Sequence, residues 1–188
     1  MSQTSTREFV QVRFSGAGGQ GLITAGVILA EAAMLDGLNV VQTQTYGPEA
    51  RLGSSRAEVI ISKGTIAYPE VTVPDVLLCL SDESARKFAT KVGPDSTVIL
   101  DSSNIGPEVK AGGRVLRLAI TDAAIKAGSK VVANTVGLWA MNTLAPVVSA
   151  DALRRAILSR VPAKFRELNE RAIGAGEELA KSCEPVLA

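Results

Sequence analysis

This sequence predicts a three-layer α/β/α domain with a mainly parallel sheet and a helical C-terminal extension, and three observations carry that expectation. Residues 76–80 (VLLCL) form an unbroken apolar run, as in a strand buried on both faces. A glycine loop at 16–21 joins a first strand to an apolar helix, the opening of a β-loop-α-β unit. Aromatic residues make up only 4% of a chain that is 46% hydrophobic, so its core must be built from Ala, Val, Leu and Ile. The 188 residues suit one domain, and no repeat, linker or low-complexity stretch divides them, so 1–188 reads as a single domain.

Taken in order, residues 9–15 alternate and carry Val and Phe, which predicts the first strand. After the glycine loop, 22–35 is apolar on nearly every face at its start and reads as a largely buried helix, with Gly37 as C-cap. Residues 39–45 form the second strand, 46–55 (YGPEARLGSS) a loop of turn formers, and 58–62 the third strand. The strand at 76–80 follows. Ser81 then stands where a helix N-cap belongs, with Asp82 and Glu83 in the first turn, and that helix ends near Gly93-Pro94. Further strands are expected at 97–100, closed by Asp101, and at 115–120, with Thr121 as N-cap of a short helix reaching Gly128. The C-terminal third is helical: 134–144, then 150–160 behind a Ser149 cap, then 164–181 with Phe165, Leu168, Ala172, Ala175 and Leu179 on one stripe.

Residues 131–150 carry no charge over about the length of a membrane span. Asn134, Thr135, Asn142, Thr143 and Pro146 within it would be costly in lipid, so a buried or subunit-facing helix is the better assignment. Val136, Leu138, Trp139, Met141 and Leu144 cover more than one stripe of that helix. One face is expected on the sheet and the other against a second subunit; the alternative is that 164–181 folds over it.

The chain has no histidine, which removes histidine-based acid–base catalysis and histidine metal ligands. Cys79 and Cys183 are far apart and form no C-x-x-C run, so they cannot supply the thiolates of an iron–sulfur cluster; they read as buried thiols in a reducing compartment. The net charge is +1 with no basic block, so neither nucleic acid nor an anionic membrane is an expected partner. Residues 1–8 are polar, without the apolar core of a signal peptide, and the expected location is cytoplasmic.

Gly16-Ala17-Gly18-Gly19-Gln20-Gly21 satisfies G-x-G-x-x-G between a strand and a helix. Glycines let the backbone turn sharply and approach an anion, and the helix start adds partial positive charge, so Gly16, Gly18, Gly19, Gln20 and Gly21 are candidate phosphate contacts. Two other readings stay open: the glycines permit close helix–sheet packing, or they bind NAD(P). Against the last, the second strand ends Gln42-Thr43-Gln44-Thr45 without the carboxylate that a ribose would need. The 46–55 loop leaves the same carboxyl edge of a parallel sheet, where ligands bind. Its Tyr46, Glu49 and Arg51 are candidate wall or interface residues; taken alone, the loop reads as a surface turn with a Glu–Arg pair.

Together, GAGGQGLITAGVILAEAA, YGPEARLGSS and the following AEVIIS closely resemble the gamma-subunit domain of 2-oxoacid:ferredoxin oxidoreductases. Asn134 before an apolar helix and PAKFRELNERAIGAGE near the C-terminus extend the resemblance over nearly the whole chain, and it leans to the 2-oxoglutarate branch; Leu52 stands where the family has a glycine. The resemblance implies a non-autonomous subunit of an enzyme that converts a 2-oxoacid and coenzyme A to acyl-CoA and carbon dioxide. It also implies alpha and beta partners carrying thiamine diphosphate and iron–sulfur clusters, and a ferredoxin-type acceptor. The gamma domain is expected to help form the coenzyme A site while holding no cofactor and no catalytic residue of its own, so the chain alone should be catalytically silent.

Overall fold

The computed structural model describes residues 8–45 and 54–183. The strands are β1 (Phe9–Ala17), β2 (Asn39–Thr45), β3 (Ser54–Ser62), β4 (Val76–Cys79), β5 (Thr97–Asp101) and β6 (Arg114–Leu118). The helices are α1 (Leu22–Leu35), α2 (Asp82–Phe88), α3 (Ile120–Ala127), α4 (Ala133–Leu144), α5 (Ala150–Arg160) and α6 (Arg166–Lys181), with short 3-10 turns at Lys130–Val132 and Ala163–Phe165. The sheet order is β2-β3-β1-β4-β5-β6. β1, β4, β5 and β6 pair in parallel, while β3 runs antiparallel to both β1 and β2.

β2 therefore points the same way as β1 but does not lie beside it, which corrects the simple β-loop-α-β expectation. β3 turns back from β2 and inserts between them, pairing with β1 along its whole length from Phe9↔Ser62 to Ala17↔Ser54. Packing allows this: a Cβ on Gly26 of α1 would lie 3.0 Å from the Cβ of Ala57, so the helix rests directly on β3. The continuous apolar run of β4 is explained by its two covered faces. Leu78 points with Val12, Phe14, Val59, Ile99 and Leu116 into the core under α1 and α3–α6, whereas Leu77 and Cys79 point into a smaller core closed by Ala85 and Phe88 of α2. On that second face Arg13 and Glu58 sit opposite one another in β1 and β3 and form a buried ion pair of 2.6 Å. Arg13 also donates to the Val71 carbonyl at 2.7 Å and lies over the Phe88 ring.

Two helix starts match their sequence signals. Ser81 accepts from the Ser84 N–H, and Ser149 from the Ala152 N–H. Thr121 does not cap α3. The helix begins at Ile120 behind Ala119, and Thr121 uses its hydroxyl to reach Asp101 instead.

α4 is also placed differently from the expectation of a subunit-facing helix. One side lies on the sheet, where Gly137 approaches Leu78, and α6 covers the other. Val136, Leu138 and Met141 are inaccessible, and Trp139 is 9% exposed with its indole N–H donating to Glu177 of α6 at 3.0 Å. The α6 stripe that does this is Asn169, Ala172, Ile173, Gly176 and Ala180. That is one position round from the expected stripe: Leu168, Ala175 and Leu179 are half-buried, and Phe165 is exposed. Small residues face α4 because the two backbones come close there.

The polar residues of the uncharged stretch are satisfied inside the fold. Asn142 accepts from the Val147 and Val148 N–H groups and donates to the Val148 carbonyl, so it holds the α4–α5 turn. Thr135 donates to Asn169 at 2.8 Å. Among the described residues, no helix is long and apolar enough to cross a membrane.

Candidate functional site

The carboxyl ends of β1 and β4 lie side by side, and the chain leaves them in opposite directions. From β1 it runs through α1 on the main-core face towards β2; from β4 it runs through α2 on the other face to β5. This divergence is a topological switch point, where open α/β sheets leave a ligand crevice. The glycine loop occupies it.

The loop's glycines divide into two kinds. Gly16 is buried in an extended β1, and a Cβ there would meet the Gln20 side chain, Leu22 and Leu80. Gly21 has φ 72° and is the N-cap of α1; a Cβ there would lie 2.7 Å from Nδ2 of Asn134, which donates to the Gly21 carbonyl at 3.2 Å. These two face protein. Among the described residues, Gly18 and Gly19 are exposed, and a Cβ on either would meet nothing within 4 Å. Gly19 has φ 86°, so only there does this exposed pair need glycine for its backbone.

Among the described residues, the N–H groups of Gly18, Gly19 and Gly21 have no acceptor. The start of α1 carries no side-chain cap and no acidic residue in its first turn; Asn134 of α4 ties to it, while α4 itself continues from the Ser129-capped 3-10 turn at Lys130–Val132. An unneutralised helix start beside open amides forms an anion-attracting surface.

Gln20 is engaged within the chain. Its Oε1 accepts from the Ala17 N–H at 2.7 Å, and its Nε2 donates to the Leu80 carbonyl at 3.0 Å, so its amide is used at both ends. The Leu80 carbonyl also accepts from Asn104 at 3.4 Å. Asn104 donates in turn to Asp101 at 2.7 Å and to the Thr121 hydroxyl at 2.8 Å. Asp101 is fully buried and also accepts from the Ser103 and Thr121 N–H groups. Sequence reasoning had Asp101 only as a strand end and missed this network; a carboxylate closing a buried strand at the ligand edge was the available signal.

Tyr46, Glu49 and Arg51 lie outside the described residues. Their flanks sit at the same edge, since Ala17 pairs with Ser54 and Thr45 with Arg56. The strand beside β1 on that side is β3, not β2, so the end of β2 is displaced by one strand from the position that would meet a dinucleotide ribose. Burial pushes the Cys79 thiol up to about 12, so it stays neutral and is a poor nucleophile and ligand. Cys183 is half-buried rather than buried, and its thiol is also raised by burial. Among the described residues, no group of three or more His, Cys, Asp or Glu could hold a metal ion.

Residues 11–179 match the family model described as pyruvate ferredoxin/flavodoxin oxidoreductase. The chain is 40% identical over 177 residues to the 2-oxoglutarate synthase subunit KorC of Methanocaldococcus jannaschii, covering 91% of this chain and 94% of that subunit. A keto/oxoacid ferredoxin oxidoreductase gamma subunit from Geobacter sulfurreducens superimposes with a TM-score of 0.83 at 41% identity, over 94% of this chain and 98% of that one. The fold also recurs, at 22% identity and a TM-score of 0.84, in a 2-oxoglutarate:ferredoxin oxidoreductase from Magnetococcus marinus; there it spans 96% of this chain but 32% of the larger one. With the fold, the glycine loop and nearly full-length similarity agreeing, the chain belongs to the pyruvate ferredoxin/flavodoxin oxidoreductase family, as a gamma-type subunit leaning to the 2-oxoglutarate branch.

Proposed function

We propose that this chain, acting as one domain over 1–188, is the gamma subunit of a thiamine-diphosphate-dependent enzyme that converts 2-oxoglutarate and coenzyme A to succinyl-CoA and carbon dioxide, passing electrons to a ferredoxin. Its part is to hold a phosphate of coenzyme A at Gly18, Gly19 and the start of α1, and to complete the subunit assembly. The carrying observation is the pair of open glycines, whose N–H groups lack an acceptor among the described residues and stand at an uncapped helix start. The related Magnetococcus enzyme was solved with 2-oxoglutarate, coenzyme A and succinyl-CoA bound. Arg51 and Tyr46, with Glu49, would supply the wall of the same site from the neighbouring loop.

Thiamine diphosphate supplies the decarboxylation chemistry and the clusters carry the electrons; both are assigned to the alpha and beta partner subunits. The donor set here supports that division. Cys79 is buried and neutral, Cys183 lies beyond the end of α6, and no histidine exists to assist either. What remains for this chain is binding and orientation: amide hydrogens and a helix dipole that fix an anion without a proton transfer.

The test is Gly18→Val in the assembled enzyme. A Cβ at Gly18 meets nothing within 4 Å among the described residues, so folding and assembly should persist while the branched side chain blocks a ligand from the loop. The KM for coenzyme A should rise, with the KM for the 2-oxoacid unchanged. Normal assembly with an unchanged KM for coenzyme A would overturn the assignment.

A further inference from the structure

We infer that Gln20 is a positioning residue that sets the shape of the anion loop by bonding the backbone at both of its ends; this rests on the coenzyme A assignment above. Both ends of its side-chain amide are occupied within the chain, by the Ala17 N–H at 2.7 Å and the Leu80 carbonyl at 3.0 Å. One of its two N–H donors and its oxygen are thereby committed to the backbone on either side of the loop. Gly16 makes room for it: any side chain at that position would collide with the Gln20 oxygen.

What the amide fixes is the segment in between. Ala17 ends β1 and Gly21 begins α1, so Gly18 and Gly19 hang from two anchored ends. The Gln20 oxygen pins the first, and its nitrogen ties the loop across the switch point to the end of β4. The Asn104 amide nitrogen lies 3.4 Å from the same Leu80 carbonyl, while its two hydrogens go chiefly to Asp101 at 2.7 Å and Thr121 at 2.8 Å. One carbonyl thus joins the loop to a buried polar network that spans β4, β5 and the start of α3. Without the Gln20 side-chain amide only the 3.3 Å backbone bond from the Gln20 N–H to the Ala17 carbonyl would close the turn, and more of the cost of ordering Gly18 and Gly19 would fall on binding.

The experiment compares Gln20→Met and Gln20→Glu with Gly18→Val in the assembled enzyme, measuring kcat, both KM values and melting temperature. Gln20→Met keeps the length and loses both bonds. The KM for coenzyme A should rise about tenfold, the change to which 1.4 kcal/mol corresponds, with the KM for the 2-oxoacid unchanged. Gln20→Glu keeps the acceptor for Ala17 but sets a carboxylate against the Leu80 carbonyl. Its KM for coenzyme A should rise at pH 8 and fall back towards wild type in acid, where a protonated Glu can donate to that carbonyl again; this arm also serves if Gln20→Met fails to assemble. A lower melting temperature with unchanged KM values would make Gln20 a structural brace only and overturn the inference. A raised KM for coenzyme A in Gly18→Val but not in the Gln20 variants would overturn it while leaving the coenzyme A assignment standing. No change in any of the three would overturn both.

Discussion

Gly176→Ala probes the contact that decides where α4 is buried. A Cβ at this position would lie 2.7 Å from the Val136 carbonyl oxygen, 3.0 Å from the Trp139 Cβ and 3.2 Å from the Ala140 nitrogen. These atoms are backbone or attached to it and cannot swing aside, so α6 would have to move off α4. Overpacking of this kind costs about 1–3 kcal/mol. Replacing glycine by alanine inside a helix returns about 1 kcal/mol of propensity, which leaves a net loss of about 0–2 kcal/mol. Gly174, two residues earlier in α6, is an internal control: it is exposed and a Cβ there meets nothing within 4 Å, so Gly174→Ala should show the propensity gain alone. The two variants should therefore differ by about 1–3 kcal/mol, with each kcal/mol worth roughly 2–4 °C of melting temperature in a chain of this size. Urea titration of the two purified variants measures the difference with propensity cancelled. Equal stabilisation by both substitutions would refute the close α4–α6 packing and return α4 to the role of a subunit-facing helix.

Two further outcomes follow from buried and half-buried polar groups. The Ser15 hydroxyl is buried without a hydrogen-bond partner among the described residues, so Ser15→Ala should raise the unfolding free energy measured by urea titration by about 1 kcal/mol; a lower value would mean that the hydroxyl is satisfied after all. The Glu177 carboxyl is held below its ordinary value, chiefly by the Trp139 indole N–H and further by Lys181. A depressed carboxyl contributes stability above its unfolded value of about 4.5 and loses it as pH falls through the folded value. Thermal melts of wild type and Glu177→Gln should accordingly differ most near neutrality and converge in acid; a gap that stays constant from pH 7 to pH 3 would contradict the assigned hydrogen bond.

Local signals found most elements to within a residue or two. The glycine loop, the apolar α1, the Ser81 and Ser149 caps and the unbroken 76–80 run each encode their structure within a few residues, so they are legible without tertiary contacts. β3 shows where such reasoning ends. Its alternation marks a strand, but which edge it joins depends on β1, some 40 residues away, and on how closely Gly26 lets α1 approach Ala57. The α6 stripe was misplaced for a similar reason. Leu168 and Leu179 looked like the buried face because they are large, whereas the face against α4 is lined by Ala172, Gly176 and Ala180, chosen for closeness.

The sequence by itself determined the α/β class, the loop that meets the carboxyl edge, the lack of histidine and cluster cysteines, and, through its motifs, the family. Only the tertiary structure decided which glycines face solvent and which face protein, because Gly16 and Gly21 differ from Gly18 and Gly19 only in what lies opposite them: Gln20, Leu80 and Asn134 on one side, open space on the other. It likewise decided that the uncharged α4 is covered from within the chain, and that Gln20 and Asn104 meet at one carbonyl. Such pairings join residues tens of positions apart, and no local pattern encodes the distance between them.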